Sequence, residues 1–309
     1  DRLDAYCRDI AHRVVQGQYV PMPSAVGPED HNDTFVANTA IEFLERQPVG
    51  KPYCLVVSFP GPHPPMDACG KYAELIPPGN IELPPNVPDS YEYDGFTYDR
   101  DAMRRLRASY YGKMALIDDN IGRIVAFLRQ RGTWNNTLLI FSSDHGEMMG
   151  AHGHMSKGRF FEESVRVPLV MRWPGRIPPG TRTPALTQMF DIYPTIVEAI
   201  GGDLSPGHFA VSQLSVATGE KRRVRDAVFS EIGKEPPLNF MVRTDRYVWW
   251  THRGEEALYD LEADPFQMNN LIASPAHQDA LDEIRMRHLR YFMETQYNLS
   301  ADYVSRLAR

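Results

Sequence analysis

T-L-L-I-F-S-S-D-H-G-E at 137–147 joins an apolar run of strand length to an acidic and an imidazole side chain. The apolar part, 137–142, is nearly continuous rather than alternating, which is typical of a parallel strand covered on both faces. A similar run, Y-C-L-V-V-S-F, stands at 53–59, and R-V-P-L-V-M-R-W at 166–173 is a third. We predict that these three runs are strands of one sheet.

Helical patterns alternate with the predicted strands. The segment T-F-V-A-N-T-A-I-E-F-L-E-R at 34–46 is amphipathic and can begin with Asp33 or Thr34 as its N-cap. The strongest pattern covers 102–131, where apolar residues recur at spacings of three and four, and Gly132 suits the end of that helix. Helix and strand in alternation predict an α/β fold with helices flanking the sheet.

The pattern changes from about residue 223. Short strand candidates follow one another: D-A-V-F-S-E-I, then F-M-V-R-T-D-R-Y-V-W-W-T with T-D-R at a hairpin turn, then A-L-Y-D-L. A helix is predicted at 276–296. Because strands without crossover helices pair antiparallel, we predict two domains. Residues 1–222 form the α/β domain, and 223–309 form a small antiparallel subdomain with a closing helix.

The composition limits the possible partners. The 309 residues carry a net charge of -7, which makes nucleic acid a poor candidate partner but allows one local basic pocket. No segment reaches the roughly 18 uncharged apolar residues needed to cross a bilayer, so we expect no membrane span. The opening D-R-L-D-A-Y-C-R-D is not a signal peptide, and Asp1 is no natural start, so a preceding segment is expected. The sequence does not indicate the cellular compartment.

Asp144 and His145 follow a predicted strand at its carboxyl end, where ligands bind in open α/β sheets. They offer a hard oxygen and a borderline nitrogen to a metal ion, and Gly146 lets the backbone turn sharply. In the alternative interpretation, Asp144 caps the amino terminus of a helix and His145 has no functional role. The polar loop that follows, E-M-M-G-A-H-G-H-M-S-K-G-R at 147–159, lies between two predicted buried strands, which favours a functional role.

Two further side chains are candidates for anion binding. Lys157 in the polar loop can bring an ammonium group to a substrate oxygen, although an isolated lysine also fits a solvated surface. The loop S-F-P-G-P-H-P-P-M carries His63 between Pro62 and Pro64, which restrict its backbone and pre-position the ring to donate a hydrogen bond. A loop histidine without a role is the alternative. We expect both loops to border one cleft.

These motifs together resemble the type I sulfatase family of the alkaline-phosphatase-like superfamily. The resemblance rests on S-D-H-G-E with a lysine thirteen positions after its aspartate, F-E-E-S-V-R-V-P-L at 161–169, P-H-P at 62–64, and L-Y-D-L-E-A-D-P-F-Q-M-N-N-L at 258–271. It extends over nearly the whole chain in the family's order. It implies an α/β core with a mostly parallel sheet flanked by helices and a small antiparallel carboxyl-terminal subdomain.

The resemblance also implies roles for single residues. It assigns a divalent metal ion to Asp144 and His145, and contacts with the sulfate or the leaving oxygen to His63 and Lys157 as catalytic residues. His152 is a candidate for substrate binding, although a role in folding the loop explains it equally well. The ion implied is Ca²⁺, and Mn²⁺, Mg²⁺ or Zn²⁺ remain compatible with such ligands.

The nucleophile implied by the resemblance is a formylglycine made from Cys or Ser in a C/S-x-P-x-R motif. No cysteine or serine of the chain is followed by x-P-x-R. We therefore expect the motif and further metal-binding aspartates upstream of Asp1, in an amino-terminal portion of the same fold. The expected activity is hydrolysis of a small-molecule or sugar sulfate ester. Hydrolysis of a phosphodiester or phosphonate ester, and a non-catalytic metal-binding fragment, are the alternatives.

Overall fold

The computed structural model describes residues 19–204, 209–233 and 239–307, and within 296–307 it describes the backbone alone. Among these residues, no helix combines the length and the apolar composition that crossing a bilayer requires.

The chain divides into two compact units. The first unit comprises the described residues up to Asn136 together with Met148–Met155, and the second comprises Thr137–Glu147 and the described residues from Ser156 onward. The predicted domain boundary between 222 and 223 lies inside the second unit and stays a prediction.

Two packed helices form the frame of the first unit, α1 (Asn32–Arg46) and α2 (Arg100–Gln130). Both helices predicted from periodicity are confirmed. The predicted N-cap of α1 at 33 or 34 is wrong, because the helix begins earlier and the ring of its N-cap His31 accepts a hydrogen bond from Asp33 N. Beyond α2, Gly132 has a φ of 77°, a left-handed conformation that glycine adopts without steric penalty.

A short hairpin that the sequence patterns did not indicate precedes α2. Its strands β1 (Ser90–Tyr93) and β2 (Phe96–Asp99) pair antiparallel, and the Asp99 side chain then accepts a hydrogen bond from Ala102 N as the N-cap of α2. Asp94 and Gly95 form the turn with positive φ. Buried side chains of the first unit pack around this hairpin and α2: Tyr19, Met66, Val87, Tyr98, Met103, Leu106, Met149 and Met155.

The second unit contains two antiparallel sheets. The first is the pair of β3 (Leu139–Ser142) and β4 (Leu169–Arg172), which confirms two of the predicted strands. The second has the order β5-β6-β7-β8. Its strands are β5 (Val228–Ile232), β6 (Asn239–Arg243), β7 (Tyr247–His252) and β8 (Glu255–Asp260).

The antiparallel pairing and the hairpin turn predicted for this region are confirmed, since Thr244 N donates to Tyr247 O across the turn at 2.8 Å. The short helix α3 (Glu162–Val165) lies between β3 and β4 along the chain, and α4 (Ile192–Ala199) and α5 (Leu214–Ala217) lie between the two sheets. The closing helix α6 (Gln278–Leu307) is also confirmed. It buries Leu281 and Ile284 against Val242, Trp249 and Leu258 of the four-stranded sheet.

The segment predicted as a strand at 53–59 is not one in the structure. It belongs to no sheet and alternates between exposed and half-buried side chains, with Val56 84% exposed. Every strand pair among the described residues is antiparallel, so none of the parallel pairs of the predicted sheet lies within them. An apolar run indicates that the side chains of a segment can be buried, but a strand also requires a neighbouring backbone segment that pairs with it.

Asp191 is the centre of a buried polar network in the second unit. Its carboxylate accepts hydrogen bonds from Gln188 N at 2.9 Å, Val211 N at 2.9 Å and Gln213 Nε2 at 2.8 Å, and it forms an ion pair with Arg225. Burial lowers the pKa of Arg225, and the Asp191 carboxylate opposes that shift. One side chain thus fixes three segments that regular secondary structure does not connect.

Two histidines of the second unit are held in apolar surroundings. His288 on α6 lies against the rings of Phe240 and Trp249, with centroid separations of 4.3 Å and 5.6 Å. Burial lowers the pKa of His288, and burial together with Arg159 and Arg253 lowers the pKa of His252. Both imidazoles therefore resist protonation in the folded chain.

The Asp191 network predicts a large stability loss in Arg225→Met. The variant leaves the buried Asp191 carboxylate without its counterion, which costs about 3–5 kcal/mol in the free energy of unfolding. Urea titration measures this loss in the free energy of unfolding. The control is Arg223→Met, because the partners of Arg223 are exposed, Asp226 to 60% and Asp245 to 63%, and such pairs contribute under about 1 kcal/mol. Equal losses in the two variants would contradict a central role for Asp191.

The lowered pKa of His288 predicts a loss of stability on acidification. The unfolded chain takes up its proton near the ordinary histidine pKa of about 6.5, whereas the folded chain does so at lower pH. The contribution of the neutral His288 ring to the free energy of unfolding is therefore complete above about pH 6.5 and is lost as the pH falls below that value. Urea titrations between pH 7.5 and 5 should show a smaller loss in His288→Leu, while Leu289→Gln, an exposed neighbour that does not titrate, keeps the full loss. An unchanged dependence in His288→Leu counts against the assignment.

Candidate functional site

The turn after β3 is fixed by a close approach of two backbone segments. Gly146 N donates to Ser164 O at 2.8 Å, just before the chain enters β4. A Cβ atom on Gly146 would lie 1.9 Å from Glu163 O, so no larger residue fits there. The sequence suggested that this glycine supplies backbone freedom for a sharp turn. The structure shows that the requirement is space.

Asp144 and His145 stand at the carboxyl end of β3, as predicted. The Asp144 carboxylate is 84% exposed, and its Oδ1 accepts a hydrogen bond from His145 N at 2.9 Å. His145 Nδ1 lies 2.8 Å from Gly146 O. Because a carbonyl oxygen only accepts, Nδ1 carries the hydrogen, and in the neutral imidazole Nε2 keeps its lone pair.

The geometry of this pair fits a metal ion. His145 Nε2 and Asp144 Oδ2 lie 3.5 Å apart. Two metal bonds of about 2.4 Å at a right angle place their donor atoms about 3.4 Å apart. A hydrogen bond from the other ring nitrogen to a carbonyl is also usual for metal-binding histidines. Among the described residues, no group of three or more His, Cys, Asp or Glu side chains is placed to hold an ion.

Lys157 shares one cavity with the Asp144–His145 pair. This cavity belongs to the second unit, has a volume of about 1380 Å³, and is lined by Asp144, His145 and Lys157 among others. Three residues selected from the sequence therefore open into the same space. The Lys157 side chain is exposed, so an ammonium group, a carboxylate and an imidazole line the same cavity.

The backbone of the polar loop has an unusual conformation. Met149, His152 and Ser156 adopt positive φ angles of 43°, 54° and 64°. Such angles cost non-glycine residues of order 1–3 kcal/mol and are most common at functional sites. Ser156 N donates to the Glu147 carboxylate, which closes the part of the loop that leads to Lys157.

His63 belongs to the first unit and is exposed there. Its backbone N–H donates to Pro60 O at 3.3 Å, and its Nδ1 lies 2.8 Å from Pro64 O. Nδ1 therefore carries the hydrogen, and Nε2 can donate only when the ring is an imidazolium. The predicted cleft shared by His63 and the polar loop stays a prediction.

His152 is also in the first unit, where it is bound to Asn86. His152 N donates to Asn86 O at 2.7 Å, and its Nε2 lies 3.2 Å from Asn86 Nδ2. These contacts support the alternative in which His152 helps to fold the loop. A role in substrate binding stays a prediction.

Sequence reasoning missed several charged residues that line the cavity of the second unit. Arg243 Nε donates to Glu162 Oε1 at 2.9 Å on its wall, and Arg159 and Arg222 also line it. A signal for Arg222 was available in the basic run K-R-R-V-R at 221–225. Arg243 lies in a strand and has no such signal, because only the fold directs it to the cavity.

Known proteins resemble this chain in sequence and in structure. An arylsulfatase of Clostridium perfringens is 30% identical over 271 residues, 82% of this chain and 56% of its own length. A choline-sulfatase of Rhizobium meliloti is 30% identical over 295 residues, 88% of this chain and 56% of its own length. The chain therefore spans little more than half the length of these relatives.

A solved phosphonate monoester hydrolase of Agrobacterium radiobacter superposes with a TM-score of 0.74 at 25% identity, covering 95% of this chain and 68% of that one. Solved sulfatase structures match as well and confirm the predicted alkaline-phosphatase-like α/β class.

Two family models match overlapping parts of the sequence. The model for the carboxyl-terminal region of N-sulphoglucosamine sulphohydrolase covers residues 150–293. The sulfatase model covers residues 4–202, which is well over half of the chain and includes the Asp144–His145 turn and Lys157. By this match the chain belongs to the sulfatase family.

Proposed function

We propose that the chain is the part of a sulfuric ester hydrolase that binds and polarises the sulfate group. The observation that supports this most is the opening of Asp144, His145 and Lys157 into one cavity of the second unit. The proposal includes a longer protein, in which a formylglycine nucleophile and further acidic metal ligands precede this chain.

Asp144 and His145 are proposed to hold one divalent ion. The mixed oxygen and nitrogen donors suit Ca²⁺, Mn²⁺ or Mg²⁺, and family resemblance favours Ca²⁺. When bound, such an ion supplies a fixed positive charge for a sulfate oxygen and the nucleophile. The two residues contribute an exposed carboxylate and an imidazole that Gly146 O holds in one orientation.

Lys157 and His63 are proposed to contact the sulfate and the leaving oxygen. The Lys157 ammonium can donate hydrogen bonds to an oxygen of the sulfate group or to the leaving oxygen, because both carry negative charge as the ester bond breaks. His63 Nε2 donates only as an imidazolium, because Nδ1–H is directed to Pro64 O. The imidazolium can therefore give a proton to the leaving alkoxide, and the carbonyl of Pro64 orients it for that step.

A phosphonate or phosphodiester ester hydrolase is the second candidate function. The 25% identical phosphonate monoester hydrolase structure favours it. A tetrahedral phosphoryl group with anionic oxygens can be bound by the same types of group, a divalent ion, a lysine and a histidine. The two candidates therefore differ in substrate preference rather than in the residues used.

The ester preference is tested on the longer protein with formylglycine confirmed by mass spectrometry. We expect kcat/KM for aryl sulfate and choline sulfate to exceed that for a phosphodiester and a phosphonate monoester by at least about 10-fold, which is a transition-state difference of about 1.4 kcal/mol. A preference for either phosphorus ester supports the second candidate. Turnover of none of them supports a non-catalytic metal-binding chain.

The metal assignment predicts different phenotypes for neighbouring variants. Asp144→Asn and His145→Ala should lose the bound ion in elemental analysis and lower kcat by at least about 100-fold, because even outer-shell changes cost about 10–100-fold in affinity or activity. Lys157→Met is the matched control, since it should lower kcat while the ion stays bound. Retention of the full metal content in His145→Ala would contradict the assignment.

A further inference from the structure

Lys113 lies on the apolar face of α2 rather than in solvent. It follows Leu106 and Tyr110 and precedes Ile117 at helical spacing, and it is only 4% exposed. A buried ammonium group is costly unless it is paired and fully hydrogen-bonded. Its contacts therefore show what the charge is used for.

The Lys113 ammonium binds the backbone of the His63 loop. Nζ donates to His63 O at 2.8 Å, to Pro65 O at 2.7 Å and to Asp67 Oδ1 at 2.8 Å. An ammonium group has three hydrogens, so these three acceptors use all of them. Asp67 is fully buried and neutralises the charge, while the two carbonyls fix the loop on both sides of Pro64.

A buried anion from α1 holds the same loop at its beginning. The Asp33 carboxylate is fully buried, and its Oδ1 accepts a hydrogen bond from Gly61 N at 3.0 Å. A Cβ on Gly61 would lie 2.4 Å from Asp33 Oδ2, so the loop backbone is in direct contact with the carboxylate. The residues from Gly61 to Asp67 are thus bound by a carboxylate at one end and an ammonium group at the other.

We propose that Lys113 is a positioning residue for His63, an inference that rests on the proposed function of His63. Lys113 binds the carbonyl of the histidine residue itself, so the backbone that carries the ring has little freedom to shift. The reaction depends on that placement, because a displacement of about 1 Å in a reacting group can cost about 100-fold in rate. An apolar side chain at 113 would fill the space but could not hold two carbonyl oxygens.

The test is a double-mutant cycle on the longer protein. The variant is Lys113→Met with Asp67→Asn, so that no buried carboxylate is left without a counterion. The substrates are a sulfate ester with a good phenolate leaving group and one with a poor alkoxide leaving group. We expect kcat to fall about 10-fold or more for the poor leaving group and much less for the good one. In a His63→Ala background, the two substitutions at 113 and 67 should change kcat less than about 2-fold, since the effects of coupled residues are not additive.

Amide hydrogen exchange on the longer protein provides a readout that does not depend on activity. We expect the segment 60–67 to exchange faster in the Lys113→Met, Asp67→Asn variant. Lys71→Met is the control, because Lys71 also pairs with a carboxylate of α2, Asp119, but on the exposed surface. It should change neither exchange nor kcat.

Equal losses of kcat in the presence and absence of the His63 ring would overturn the positioning role, as would unchanged exchange at 60–67. A wild-type protein that hydrolyses no ester overturns instead the proposed function on which this role rests.

Discussion

The antiparallel pairing of β3 with β4 is the constraint on which the candidate site depends. It brings Ser142 opposite Leu169, so the chain leaves and re-enters the sheet at one place. Just beyond, the backbone at Gly146 approaches Glu163 O so closely that a side chain cannot be accommodated. Backbone contacts therefore place Asp144 and His145 at the wall of the cavity.

Buried charges in this chain serve to hold irregular backbone. Lys113 and Asp33 bind the loop around His63, and Asp191 with Arg225 binds three connecting segments of the second unit. Loops have no ladder partners, so their N–H and C=O groups need other ones when they are buried. One ion-paired side chain provides several strong hydrogen bonds. Removal of either partner leaves a buried charge without its counterion, which strongly destabilises the fold.

Elements that depend on local signals were predicted well. The helices at 34–46 and 102–131 follow from periodicity, and the β6–β7 hairpin follows from its turn residues. Asp144, His145 and Lys157 were selected by spacing and family resemblance, and the structure opens them into one cavity. The failures involve partners distant in sequence. The apolar run at 53–59 forms no strand, and the sequence analysis did not indicate that Lys113 is buried.

The sequence by itself determined the family, the helices and the order of the motifs, because these depend on residue type and on spacing along the chain. Only the tertiary structure decided why Gly146 must be glycine, which tautomer His145 and His63 adopt, and what Lys113 binds. Each of these depends on where a carbonyl oxygen points. Folding brings Glu163 O to Gly146 and His63 O to Lys113, and the local backbone conformation directs Gly146 O and Pro64 O at the ring of the preceding histidine. Every residue has such an oxygen, so residue identity cannot show where it points.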